Sequence, residues 1–160
     1  MALRDGEIKR TVLCFVFDKK NDLLLMIHKK RGQGAGKINV PGGKIQAGET
    51  EESAARRETI EETGIEPLTM KQAGKLEFYF PYSDSWDNTC TVFVADNFAG
   101  SLISESEECS AHWLPCATLP LDKMWDADRL WLPYLLAGKE FHRAYVFDSS
   151  DRVIEERALV

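Results

Sequence analysis

The stretch Gly43-Lys44-Ile45-Gln46-Ala47-Gly48-Glu49-Thr50, continuing as Glu51-Glu52-Ser53-Ala54-Ala55-Arg56-Arg57-Glu58-Thr59-Ile60-Glu61-Glu62-Thr63-Gly64-Ile65, decides how the rest of the chain is understood. Its second half predicts a helix that starts near Thr50 and stops at Gly64. Thr50 suits the N-cap, Glu51 and Glu52 complement the positive end of the helix dipole, and Gly64 suits the left-handed residue just past the end. Glu58, Glu61 and Glu62 stand at i, i+3 and i+4, so their carboxylates share one face. Like charges so close are unfavourable in an isolated helix, and Arg56, Arg57 or a bound cation would offset them. A solvated acidic face is the plainest reading of such a helix. Two neighbours weaken it. Ala54 and Ala55 adjoin the same face, as expected where another backbone packs closely. Gly42-Gly43-Lys44 precedes the helix, and its glycines allow tight backbone approach and can offer a carbonyl oxygen. Carboxylate and carbonyl oxygens are the donors magnesium selects, and it keeps waters for substrate phosphates.

Outward from this stretch, residues 11–17 are rich in β-branched and aromatic types and read as a buried strand. Residues 18–22 form a turn, and Leu23 to His28 is the returning strand of a hairpin. Residues 29–49 read as loop, with glycines at 32, 34, 36, 42, 43 and 48. Further strands are expected at 74–80, 89–96, 111–115, 141–148 and 151–157. A second helix belongs within 125–138, where Pro133 leaves its boundaries open. Strands outnumber helices and two helices flank them, so the expected fold is a mixed α+β sandwich. No repeat or linker divides the chain, and one domain over residues 1–160 is expected.

Composition narrows the classes of function. The formal charge is −6, whereas binders of long nucleic acid usually carry a basic surface, so no long nucleic acid is expected as partner. An acidic protein acting on a phosphate-rich small molecule needs metal ions or a local basic patch. No apolar run approaches the roughly 20 residues of a membrane span, and the charged start MALRDGEIKRT does not read as an export signal. Cys14, Cys90, Cys109 and Cys116 show no CxxC spacing, and reduced thiols in a cytoplasmic protein are expected. His28, His112 and His142 share no ligand spacing. Oligomeric state stays unassigned.

The quoted stretch resembles the Nudix box: Gly, five residues, Glu, seven residues, Arg-Glu, an aliphatic, any residue, Glu-Glu, any residue, Gly, an aliphatic. Eight of the nine defined positions match, and Thr59 departs from the aliphatic preference. The resemblance implies a loop–helix–loop set on the Nudix α/β/α sandwich with a mixed sheet, and an enzyme that cuts diphosphate bonds with Mg2+, or with Mn2+ in its place. It implies that Glu58, Glu61 and Glu62 carry the metals with the Gly43 carbonyl, and that Arg57 and Glu49 form an orienting ion pair. Water held by the metals would attack a phosphorus. The general base is left among Glu58, Glu61 and Glu108, and Glu108 lies well outside the box as a further candidate for metal and catalysis.

Beyond the box, residues 29–39, Met124-Trp125, Asp128, Trp131, Pro133 and Phe141-His142 resemble the MutT-like subgroup that acts on oxidised purine nucleoside triphosphates. That resemblance implies a base site of Thr11, Asn39, Phe78, Trp125 and Asp128 with Lys29 nearby, and 8-oxo-dGTP as the favoured small-molecule substrate. The residue types fit. Trp125 and Phe78 give flat apolar walls, Asn39 offers donor and acceptor, and Asp128 accepts or, when protonated, donates. Each also has an ordinary structural reading as core, turn, cap or strand residue, and Lys29 to Arg31 could be a solvated basic run. Two departures stand out. The subgroup carries adjacent acidic residues where this chain has Ala127-Asp128, so one carboxylate is missing or displaced to Asp126, which implies narrower base recognition. Gln33 replaces an aromatic. Pro81-Tyr82 falls near the spacing at which Nudix enzymes of ADP-ribose and dinucleoside polyphosphates carry a diagnostic residue. RNA 5′ ends are a further alternative substrate, and a binding module without catalysis is disfavoured because all three helix carboxylates are present.

Overall fold

The computed structural model describes residues 8–160; the first seven residues of the MALRDGEIKRT start lie outside the described residues. Eleven strands and two helices follow one another as β1 (Lys9–Asp18), β2 (Leu23–Lys29), β3 (Ile38–Asn39), β4 (Gly42–Lys44), α1 (Glu51–Thr63), β5 (Ile65–Pro67), β6 (Lys71–Tyr79), β7 (Asn88–Ala95), β8 (Phe98–Gly100), β9 (Cys109–Pro115), α2 (Asp128–Leu136), β10 (Phe141–Phe147) and β11 (Val153–Ala158). The large sheet runs β11-β10-β6-β7-β1-β2-β3, with β4 paired to β1 and β9 to β2. Its β1–β7 and β10–β6 pairs are parallel and the rest antiparallel. This is the mixed α+β sandwich expected.

Alternation along β1 explains the layers. Val12, Cys14 and Val16 face α1, where they pack with Leu25, Ala54, Ala55 and Phe93. Phe15 faces the other way and joins Leu24, Met26, Trp131, Leu132 and Leu135 under α2. Helix α1 begins and ends where its caps place it. The Thr50 side chain accepts from the Ser53 amide at 3.1 Å, and Gly64 closes the helix at φ 75°. A β-carbon at Gly64 would stand 2.4 Å from the Ser101 carbonyl oxygen, so the position is closed to larger residues. Ala54 and Ala55 are fully buried, as their size suggested. Thr59 is buried too, and its hydroxyl donates to the Ala55 carbonyl at 2.7 Å, so the polar departure inside the box is satisfied within its own helix.

Several expectations need correction. The 29–49 loop contains two short strands, β3 of two residues and β4, the latter built on glycines with little strand propensity. The short pair β5–β8 was not anticipated, and β6 starts at Lys71 rather than at 74. Helix α2 falls within the expected 125–138, and Pro133, which left its boundaries open, lies inside it. The carbonyl left without its usual donor belongs to Arg129, and both residues are exposed, so water can satisfy it. Among the described residues no helix is long and apolar enough to cross a membrane.

Candidate functional site

Arg57 organises the carboxylates of α1. Its Nε and Nη2 engage Glu49 at 2.7 and 3.0 Å, a two-pronged pair that ties the preceding loop to the helix. Its Nη1 reaches Glu58 at 2.9 Å and Glu61 at 3.2 Å, and Nη2 also donates to the Lys44 carbonyl at 3.1 Å. Arg56 instead points away to the carbonyls of Pro67 and Leu68. The Arg57 guanidinium holds the Glu49 carboxyl below the usual carboxylate range. Glu62 turns elsewhere, accepting from the Gly42 amide at 2.9 Å through Oε1. Burial pushes Glu62 up to about 7 despite that bond, with the Glu58 charge adding to the rise, and burial likewise raises Glu58.

Glu58, Glu61 and Glu62 thus share a face as predicted, but they do not converge. Among the described residues no three His, Cys, Asp or Glu side chains form a ready metal cage. Arg57 draws one oxygen from Glu58 and one from Glu61, and Gly42 draws one from Glu62. Each carboxylate keeps its second oxygen, with no hydrogen bond to another described residue. Glu58 also lies so close to Gly43 that a β-carbon there would meet its carboxyl carbon and Oε1 at 2.6 Å. A larger residue at 43 would push the Glu58 carboxylate out of this position. These hard oxygens suit a divalent cation. Glu108 is exposed and bound to Arg31, whose Nε and Nη2 both go to Oε1, which leaves Oε2 open; Arg31 lowers its pKa, and its charge bears on Glu62.

Gly43 is also part of a second feature, a cleft of about 440 Å³ on the α2 side of the sheet. All six residues expected to surround a base line it: Thr11, Lys29, Asn39, Phe78, Trp125 and Asp128. Asp128 is 4% exposed and takes two internal bonds, from the Trp131 indole at 3.0 Å and the Trp125 amide at 3.2 Å. Burial raises it to about 7, against the smaller opposing effects of those donors and of Lys37. Its cap-like bond to Trp125 and its place in the cleft coexist. Asn39 spends its oxygen on the Val40 amide at 2.8 Å, and the Lys29 ammonium donates to the Gln33 carbonyl at 2.8 Å. Thr11 donates to Asn88 and to the Thr89 carbonyl, so its hydroxyl proton is already engaged. The Lys37 ammonium stands 5.0 Å from the Trp125 ring centroid.

A profile of the NUDIX domain matches residues 7–135. The chain belongs to the Nudix family. It is 39% identical over 134 residues to the oxidized purine nucleoside triphosphate hydrolase of Danio rerio, covering 84% of this chain and 85% of that one. The Mus musculus protein of the same name is 37% identical, covering 82% and 83%. The crystal structure of a MutT protein from Bacillus halodurans superposes with a TM-score of 0.82 at 23% identity, over 94% of this chain and 97% of that one, and shows the shared fold.

Within this Nudix fold, Asp126 does not replace the missing carboxylate. It is bound to Arg129 and to the Val153 amide and does not line the cleft. Tyr82 also stays out of the cleft, with its hydroxyl bonded to Asp151. The histidines make separate local contacts: His28 with the Gly36 carbonyl, His112 with Ser110 and His142 with Glu77. The sequence reading missed Phe80, Trp86, Asn88 and Phe147, which all line the cleft. Phe80 follows Phe78 at the two-residue spacing of one strand face and could have been found that way. Asn88 is the register partner of Phe78 across β6–β7, which no local pattern reveals.

Proposed function

We propose that this chain is a metal-dependent pyrophosphohydrolase of purine nucleoside triphosphates, converting 8-oxo-dGTP to the monophosphate and pyrophosphate and so clearing oxidised precursors from the nucleotide pool. It is a Nudix hydrolase of diphosphate bonds. One observation carries the finer reading: a single cleft is lined by aromatic rings, by the buried Asp128 and also by Gly43, and the Glu58 carboxylate lies against Gly43. A purine among those rings would leave its phosphates to reach the carboxylate beside Gly43. Relatives named for oxidised purine triphosphates, matched over most of both chains, support the same substrate class.

Magnesium, or manganese in its place, would have to gather the open oxygens of Glu58, Glu61 and Glu62, which stand apart here, with the Gly43 carbonyl and Glu108, and would supply positive charge to the phosphates. Arg57 is the positioning residue, fixing Glu49, Glu58 and Glu61 relative to the Lys44 carbonyl. Glu62, raised to about 7, takes up a proton near neutral pH, and that proton competes with the metal in acid. At the base end, Asp128 recognises a purine edge by accepting or donating according to its protonation state, and Trp125 and Phe78 supply stacking surface. With Asp126 turned away, one carboxylate serves the base, which fits a narrow range of oxidised bases. Four free cysteines fit a cytoplasmic site of action. Incubation with 8-oxo-dGTP and magnesium tests the reading through its products: monophosphate and pyrophosphate are expected, and release of inorganic phosphate alone would reject it.

A further inference from the structure

We infer that Trp86 is the second indole wall of the base cleft and selects a bicyclic base over a single-ring one. The inference rests on the purine reading of the same cleft. Trp86 ends a short 3-10 turn, Asp84–Trp86, between β6 and β7, and its half-buried ring lines the cleft. Phe80 and Phe147 stack at 4.8 Å with nearly parallel planes and form an apolar floor. Two indoles stand edge-on to Phe80: Trp125 at 5.8 Å and Trp86 at 5.7 Å between centroids. Both Trp rings therefore rise from one Phe ring, and both face the cleft. A base resting on that floor lies within reach of both indoles, and a bicyclic base offers more area to them than a pyrimidine does.

The turn that carries Trp86 is fixed rather than loose. Asp87 accepts from the Phe80 amide at 2.7 Å, and the Trp86 amide donates to the Ser83 carbonyl at 3.0 Å. Asn88, 8% exposed, donates through Nδ2 to the Trp86 carbonyl at 3.0 Å and accepts from the Thr11 hydroxyl at the same distance. Thr11 thus supports Asn88, and Asn88 positions Trp86. This gives Thr11 a task that does not require it to touch the base. A side chain already ordered in the free protein pays little further entropy on stacking, so its contact counts toward selectivity.

The test compares wild type, Trp86→Ala and Trp86→Phe by calorimetric binding of 8-oxo-dGMP and dCMP without metal, and by steady-state hydrolysis of the corresponding triphosphates. Trp86→Ala is expected to weaken 8-oxo-dGMP binding about tenfold or more and to shrink the purine-to-pyrimidine ratio similarly, with Trp86→Phe between it and wild type. In hydrolysis the loss should fall on KM, with kcat within about twofold, since no contact links Trp86 to the α1 carboxylates. Unchanged purine affinity in Trp86→Ala, or equal losses for both bases, overturns the role of Trp86. Wild-type binding without a purine preference overturns it too. Failure to hydrolyse a triphosphate that binds with purine preference would count against the proposed reaction, and leave the wall intact.

Discussion

Replacing Asp128 with Asn should flatten a pH dependence of stability that the native chain carries. Burial raises this carboxyl from its ordinary 3.8 to about 7 in the fold. Below the lower value it is neutral in both folded and unfolded chains and contributes no pH dependence. Between the two values the unfolded chain ionises it while the folded chain keeps it neutral, so unfolding releases a proton and stability falls as pH rises. Above about 7 it is ionised in both states and the loss is complete. A gap of roughly three pH units corresponds to about 4 kcal/mol. Asn has the same shape and no charge, so Asp128→Asn carries at most a constant offset from the Trp125 amide, which would lose its carboxylate acceptor. Urea unfolding of both proteins from pH 4.5 to 8 measures this, read as the difference between them. Other titrating groups, Glu62 included, appear in both chains and cancel. Over that range the wild-type stability should fall relative to the variant by about 3 kcal/mol, most of it below pH 7. Parallel curves, or a wild type that gains relative stability with pH, would refute the buried neutral carboxyl.

Gly43→Ala places a methyl 2.6 Å from the Glu58 carboxyl and should displace that carboxylate; kcat is expected to fall about a hundredfold with little change in stability, since only the end of a flexible side chain must move, and unchanged turnover would reject the close approach as functional. Arg57→Lys keeps the charge but loses the two-pronged grip on Glu49, and should lower kcat and raise the magnesium needed for half-activation by about tenfold or more. Glu62→Gln preserves shape and the Gly42 bond while removing charge, so turnover should collapse with the midpoint of thermal unfolding kept or raised. Activity near the wild-type level would remove Glu62 from the metal set.

The box and its helix were legible because every signal there is local. Thr50, Gly64 and the Glu58, Glu61, Glu62 spacing are all visible within a few turns. The β1–β2 hairpin was legible for the same reason, through the apolar run at 11–17. Strand β3, two residues long, was too short to show a pattern, and β4 was hidden because Gly42 and Gly43 pair through backbone alone. The spacing also could not show that Glu58 and Glu61 turn toward Arg57, because rotamers answer to neighbours rather than to sequence interval. At the base end, resemblance supplied Trp125 and Asp128, and Trp86, Asn88 and Phe147 emerged only once three distant segments met in the cleft.

The most direct measurement of the central claim is kcat/KM with magnesium for 8-oxo-dGTP beside dGTP, ADP-ribose and diadenosine tetraphosphate. A preference of about a hundredfold or more for 8-oxo-dGTP is expected from a cleft that pairs stacking walls with a polar base edge. A preference for ADP-ribose or the dinucleotide would contradict it: the hydrolase would stand, and the base cleft around Asp128 and Trp125 would lose its assigned substrate.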